Sequence, residues 1–170
     1  NYNDKKFPEL LDAVAKVDGV KRIRYTSPHP EDINEELLEI MAEHDNICNY
    51  IHLPLQAGSN RILKRMNRTY TKENFIELAK KIRTFLPGVG ISTDIIVGFP
   101  GETEKEFNET LEVMRKVKFN SAFTFKYSPR KGTKAIEYED QLSEDEKQRR
   151  LTKVIELQKF NTELRNQSYV

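Results

Sequence analysis

Asp94 stands inside an otherwise apolar run, Ser92-Thr93-Asp94-Ile95-Ile96-Val97-Gly98. Burying a carboxylate in such a run is costly unless it has partners. Its oxygens can accept from the two hydroxyls of a ribose diol. The alternative is a buried Asp bonded to a neighbouring loop. Gln56, in His52-Leu53-Pro54-Leu55-Gln56-Ala57-Gly58-Ser59, follows a second apolar run and precedes small residues that permit close backbone approach. Its amide both donates and accepts, which suits a sugar or a base edge. Taken alone, an ordinary loop glutamine is the simpler account. Two basic groups follow: Arg61, Lys64, Arg65 and Arg68 after Ser59, and Arg130, Lys131 and Lys134 further on. Each is either a solvated surface or a grip on carboxylate or phosphate, where arginine binds as a fork.

Other reactive residue types carry less. His29 and His52 have no partner at metal-ligand spacing and read as core or loop histidines. Cys48, the single cysteine, reads as a small buried hydrophobe. It excludes an internal disulfide, a cysteine-ligated cluster and a zinc-thiolate site built from this chain alone. Gly98-Phe99-Pro100-Gly101-Glu102 lacks the lysine and the spacing of the nucleotide-binding glycine loops.

The elements that must position these residues alternate along the chain. Pro8 opens a helix carrying Leu10, Leu11, Val14 and Val17, which Asp18-Gly19 ends. A strand is expected at Arg22–Thr26, then a break at Ser27-Pro28-His29-Pro30. Asp32 and Glu35 have capping-box spacing before Leu37, Leu38 and Met41. Tyr50–Leu55 reads as a strand, with a short helix after Gly58-Ser59. Thr71 caps a longer helix that Pro87-Gly88 stops. Ile91–Val97 is a strand. Thr103 and Glu106 box the next helix, and Ser121–Tyr127 is the last strand. Ser143, boxed by Glu146, opens a terminal helix whose Leu151, Val154, Ile155, Phe160 and Leu164 are expected to be its apolar face. Four such alternations predict an α/β fold with a parallel sheet, doubly wound or part of a barrel. In either, ligands gather at the carboxyl ends of the strands, where the Gln56, Gly98 and Tyr127 loops fall.

With 28 basic and 27 acidic residues among 170, no overall field grips nucleic acid, so any RNA contact must be local. No apolar run reaches the roughly 18 residues of a membrane span. The start is polar and lacks Met, as though cut from something longer.

Three stretches together resemble the methylthiotransferase branch of the radical-SAM enzymes: Asn49–Ser59 with Asn60–Thr71 after it, Ser92–Thr103, and Phe125–Thr133. The resemblance covers nearly the whole chain. It implies a partial open (β/α) barrel of TIM type, this chain supplying the last four of six strands (residues 1–142). A terminal helix (residues 143–170) would lead toward an RNA-binding TRAM domain. It implies S-adenosyl-L-methionine (SAM) lying across the strand ends. Gln56 and Asp94 would take its ribose hydroxyls, Arg68, on the helix after the Gln56 loop, its carboxylate, and Ile96 its adenine face. Backbone near Phe125 and Tyr127 would read the adenine edge, and Ser59 is a further candidate.

The family's CxxxCxxC loop is absent, so two 4Fe-4S clusters would be ligated outside this chain, which alone is expected to be inactive. The strand at Arg22–Thr26 would then be an edge lacking its upstream neighbour. The implied reaction is methylthiolation at C2 of an adenine in the tRNA anticodon loop, in the cytoplasm, with Arg130 and Lys131 as RNA contacts. The branch that modifies ribosomal protein resembles LQHAS and YSPEEGT where this sequence has LQAGS and YSPRKGT. The threonylcarbamoyladenosine branch resembles LSLQSG and lacks the Ser-Pro-His-Pro run. Both differences favour the relatives acting on isopentenyl- or dimethylallyl-adenosine. A phosphate-binding enzyme on a closed eight-strand barrel and a non-catalytic RNA-interaction module are the other classes compatible with these residues.

Overall fold

The computed structural model describes residues 6–26 and 29–167; Ser27 and Pro28 of the expected break lie outside them. Helix α1 (Phe7–Ala15) starts with Pro8 in its first turn, and Gly19 takes a positive φ beyond its end. Helix α2 (Glu35–Glu43) is capped by Asn34, whose side chain accepts from the Leu37 amide at 2.9 Å. Asp32, expected to be the cap, instead ends a short 3-10 turn at Pro30–Asp32. The segment expected as the first strand contributes one parallel bridge, Ile23 to Ile47. Three strands and a bridge therefore stand where four strands were expected.

Strand β1 (Tyr50–His52) stops before Pro54, which has no amide hydrogen to give a ladder. A single bridge from Gln56 to Ile95 then resumes the pairing. Helices α3 (Asn60–Arg65) and α4 (Lys72–Phe85), strand β2 (Gly90–Val97), helix α5 (Glu104–Val117), strand β3 (Ser121–Lys126) and helix α6 (Glu144–Gln167) follow. The sheet has the order β1-β2-β3 and both pairings are parallel. Thr71 caps α4 and the Thr103–Glu106 box forms, as the sequence predicts; Asn74 also closes a box with Thr71.

Alternation along β2 separates two faces. Ile91, Thr93, Ile95 and Val97, with Ile51 of β1, are buried beneath the helices. Ser92, Asp94 and Ile96 lie on the other face, in register with His52, Phe123 and Phe125. That second face is open: Phe123 and Phe125 are 57% and 50% exposed. Phe75, Phe107 and Phe119 are fully buried within the helix layer, where truncating one to Ala removes about 3–5 kcal/mol.

Helix α6 packs on α5 and β3, but not through the apolar residues expected. Only Val154 of that set is fully buried; Phe160 and Leu164 are exposed. The buried face is Lys147, Arg150, Val154, Gln158 and Asn161. The reason lies in what the helix meets. It lies over the carboxyl end of α5 and the turn that follows, where backbone carbonyls accept from its side chains. Gln158 donates to the Phe119 carbonyl at 2.9 Å and Asn161 to that of Met114 at 3.3 Å. Polar donors suit that contact better than leucine would.

Candidate functional site

A cleft of about 1090 Å³ opens where β1, β2 and β3 end. Its geometry starts from Gln56. This residue has φ +65°, a left-handed conformation that a side chain disfavours. The sheet holds it there: its amide donates to the Asp94 carbonyl at 2.8 Å, and its own carbonyl accepts from the Ile96 amide at 2.9 Å. The next turn depends on Gly58, where a Cβ would collide with the backbone of Thr110; the Gly58 amide donates to the Thr110 hydroxyl at 2.8 Å. The loop is thereby pressed onto α5, and Gln56 lines the cleft.

Asp94 and Ile96 line it from β2 and Phe125 from β3, with Ile96 and Phe125 side by side in the sheet register. Tyr127 closes the end. Its amide donates to the Val97 carbonyl at 2.9 Å, and its ring meets Phe99 edge-on at 5.1 Å. The Tyr127 hydroxyl is buried with no partner, and burial raises its pKa. Arg68 reaches the same cleft from the turn after α3, and not from the helix expected to carry it. Left-handed Asn67 makes that turn, and the Arg68 amide donates to the Leu63 carbonyl at 2.9 Å. Its Nε is buried without a hydrogen-bond partner, and no ion pair engages it among the described residues.

The cleft is strongly positive. Lys64, Arg65, Arg68, Lys126, Arg130 and Lys134 line it against one carboxylate, Asp94. Two of these cations are neutralised: Arg65 by Asp140 at 2.8 Å and Lys126 by Glu144 at 3.2 Å. Arg65 also stacks 4.4 Å over the Tyr138 ring, which is part of the wall. A carboxylate- or phosphate-bearing ligand with an apolar, flat portion matches this lining.

Two expected residues fall elsewhere. Ser59 is buried outside the cleft, capping α3 through the Ile62 amide and donating to Glu106 at 3.1 Å. Its hydroxyl is spent on structure, because the first turn of α3 and the capping carboxylate of α5 both need it. Lys131 is exposed on the turn beyond β3 and does not line the cleft, whereas Arg130 does. His52, read from the sequence as a core or loop histidine, also bears on the site. It lies between Ser92 Oγ, 2.8 Å from Nδ1, and Asp94 Oδ2, 3.2 Å from Nε2. The available signal was its place in alternation with Gln56, but the register that sets it beside Asp94 is non-local. Phe99 and Tyr138 were passed over.

A parallel βα array with a cationic cleft at its strand ends is the arrangement of βα-barrel enzymes. The family model of the Radical SAM superfamily matches residues 2–114. The chain belongs to that superfamily. It is 49% identical over 163 residues to the tRNA-2-methylthio-N(6)-dimethylallyladenosine synthase of Clostridium tetani, covering 96% of this chain and 36% of that one. It is 52% identical over 152 residues to the synthase of the same name from Carboxydothermus hydrogenoformans, covering 89% and 34%. The chain thus spans about a third of the length of the curated relatives it matches. Among solved structures, coproporphyrinogen III oxidase of Escherichia coli, described as a radical SAM enzyme, superposes with a TM-score of 0.64 at 19% identity. That match covers 78% of this chain and 31% of the oxidase, a likeness of fold.

Proposed function

We propose that this chain is the SAM-binding portion of the barrel of a tRNA methylthiotransferase that acts on N6-dimethylallyladenosine beside the anticodon. One observation carries the reading: Gln56, Arg68, Asp94, Ile96, Phe125 and Tyr127 line a single cleft in which the Arg68 Nε and the Tyr127 hydroxyl are buried without partners. The near-50% identity to synthases of that name supports the choice of substrate.

The residues fit SAM by chemistry. A guanidinium without a protein carboxylate suits the methionyl carboxylate, which it can take as a fork. Asp94 Oδ1 and the Gln56 amide suit ribose hydroxyls, and Ile96 beside Phe125 suits a flat apolar base. Bound there, SAM would supply the radical source and the methyl donor. The chain's own residues bind it, orient it and exclude water.

The residues do not fit an iron–sulfur cluster. Cys48 is the single cysteine and lies before β1, at the opposite end of that strand from Gln56. The two 4Fe-4S clusters of this reading are therefore assigned to residues beyond the chain. In this reading residues 1–142 are the barrel portion, and 143–170 are the segment, with α6 in it, that leads toward an RNA-binding domain. No helix among the described residues is long and apolar enough to cross a membrane; a cytoplasmic tRNA enzyme agrees with that. Arg130 at the cleft rim, with Lys131 beside it, contacts the RNA in this reading.

Titration of SAM into the full-length protein tests the assignment. Arg68→Ala and Asp94→Ala are each expected to weaken binding at least about tenfold, the loss of one charge-assisted hydrogen bond or more. Unchanged affinity in both variants overturns it.

A further inference from the structure

We infer that His52 is a positioning residue of the cleft, which fixes the Asp94 carboxylate so that only one of its oxygens is offered to a ligand hydroxyl. The inference rests on the reading of the cleft as a nucleoside site and adds how that site selects its sugar.

The assignment follows from hydrogen-bond accounting. A carboxylate only accepts, so the His52 nitrogen facing Asp94 Oδ2, Nε2 at 3.2 Å, must carry the proton. In the tautomer with its proton on Nε2, Nδ1 is an acceptor, and Ser92 Oγ, 2.8 Å away, can donate to it. Ser92 is fully buried, so its hydroxyl has no water to turn to. One chain of donors therefore runs from Ser92 through His52 to Asp94, and each member fixes the next. Register puts His52 directly beside Ser92 across the β1–β2 pair, and alternation puts Asp94 on the same face. The Phe123 ring meets the imidazole edge-on at 5.9 Å and limits its rotation. The His52 side chain is 15% exposed, that of Asp94 29%. The histidine thus sits beneath the carboxylate while the carboxylate faces the cleft.

Oδ2 is occupied, and among the described residues no side chain engages Oδ1. Oδ1 is then the oxygen available to the ligand, aimed by a support that does not itself line the cleft. The same device orients metal-binding histidines through their second nitrogen, here turned round so that the histidine orients the carboxylate. Without it, the carboxylate could rotate about its terminal torsion, which has only a broad preference. A ribose and a deoxyribose would then be told apart less well.

The experiment measures the affinity of the full-length protein for S-adenosylhomocysteine and for its 2′-deoxy and 3′-deoxy counterparts. The ratio of ribose to deoxyribose affinity is the readout. His52→Ala is expected to lower ribose affinity about tenfold and to bring the larger of the two ratios close to one. His52→Gln, which can place an amide donor near the Nε2 position, is expected to restore most of both. Ser92→Ala should reduce the ratio by a smaller factor. If His52→Ala does not fold, the Gln and Ser92 variants decide alone. Ratios unchanged from the unmodified protein in every folded variant overturn the inference, even if absolute affinities fall. Asp94→Ala separates the two levels. If it leaves affinity intact, the nucleoside reading of the cleft fails; if it abolishes the ratio while His52 and Ser92 variants keep it, only the positioning role fails.

Discussion

The cleft at the strand ends and the joint between α5 and α6 are built from the same residue types and treat them in opposite ways. In the joint, and on the α3 side of α5, Arg149, Arg150 and Arg61 all hold carboxylates. Arg150, 5% exposed, bonds Glu102 at 2.8 Å and Glu146 at 2.6 Å, and Arg61 bonds Glu106 at 2.6 Å. Glu102 in turn accepts from the Gly98 amide at 2.7 Å, so the joint holds the loop that ends β2. In the cleft Arg68 has a buried nitrogen with no partner, and Tyr127 a buried hydroxyl with none. A cation with its carboxylate beside it is part of the fold. A cation held without one is available to a ligand.

The largest expected effect tests the joint. Arg150→Met keeps most of the side-chain volume and leaves Glu102 buried and unpaired. Breaking a buried pair this way costs about 3–5 kcal/mol. Chemical denaturation should show a midpoint shifted to match. Adding Glu102→Gln should recover much of the loss, because the stranded charge is then gone. A single variant as stable as the parent would show that the joint is not what fastens α6.

Arg68→Ala sharpens the contrast from the other side. It removes a cation that makes no ion pair among the described residues, so stability should move by no more than about 1 kcal/mol. SAM affinity should fall by about 1.5–3 kcal/mol, the range for a hydrogen bond to a charged group. Calorimetric titration and thermal unfolding of the same preparation read both. The contrast collapses if the two losses come out equal in size.

The helices, the strands and much of the cleft's lining could be read from the sequence, the joint and the contacts inside the cleft could not, and the reason is range. Thr71, Thr103 and Ser143 announce their helices through a partner three residues on, and the strand around Asp94 announces itself by apolar run and flanking glycines. Those are local signals. The cap of α2 was misplaced by two residues because Asp32 and Asn34 both suit the position, and only the 3-10 turn decides between them. The segment at 22–26 has a strand's composition, but among the described residues only Ile23 is in a bridge. The buried face of α6 was invisible because it answers to carbonyls 39 to 47 residues away. In the cleft, Gln56 and Asp94 were marked by residue type, Arg68 by its resemblance to a family pattern. His52 needed the β1–β2 register, which no spacing within one strand can give.

Acid should separate the two carboxylates of the joint. Glu106 is held at a pKa of about 2 chiefly by its Arg61 hydrogen bond, against an ordinary 4.5. Its folded value lies below its unfolded one, so its contribution is complete above pH 4.5 and is lost as pH falls toward 2. Burial raises the Glu102 carboxyl despite Arg150. The native state therefore binds the extra proton there, and this contribution grows as pH falls from that raised value to 4.5. Stability measured against pH should show Glu106→Gln losing about 1–2 kcal/mol at pH 7 and little near pH 2. Glu102→Gln should flatten the curve in the opposite sense. Parallel curves for the two variants would mean that both carboxylates titrate alike.

The smallest effect concerns the cations at the cleft's rim. Arg130 lines the opening and Lys131 is exposed beside it, and neither has an ion pair among the described residues. If they touch RNA phosphate, each contributes mainly through released counterions. Arg130→Ala with Lys131→Ala should then weaken tRNA binding by a few-fold at moderate salt, uniformly across sequences. The slope of log affinity on log salt should become shallower by roughly one to two. SAM affinity should fall by less than tRNA affinity, and the unfolding midpoint should not change, because neither residue bonds the Gln56–Asp94–Arg68 group. A large loss of SAM affinity with an unchanged salt slope would assign these two residues to the ligand in the cleft that Arg130 lines, and not to RNA.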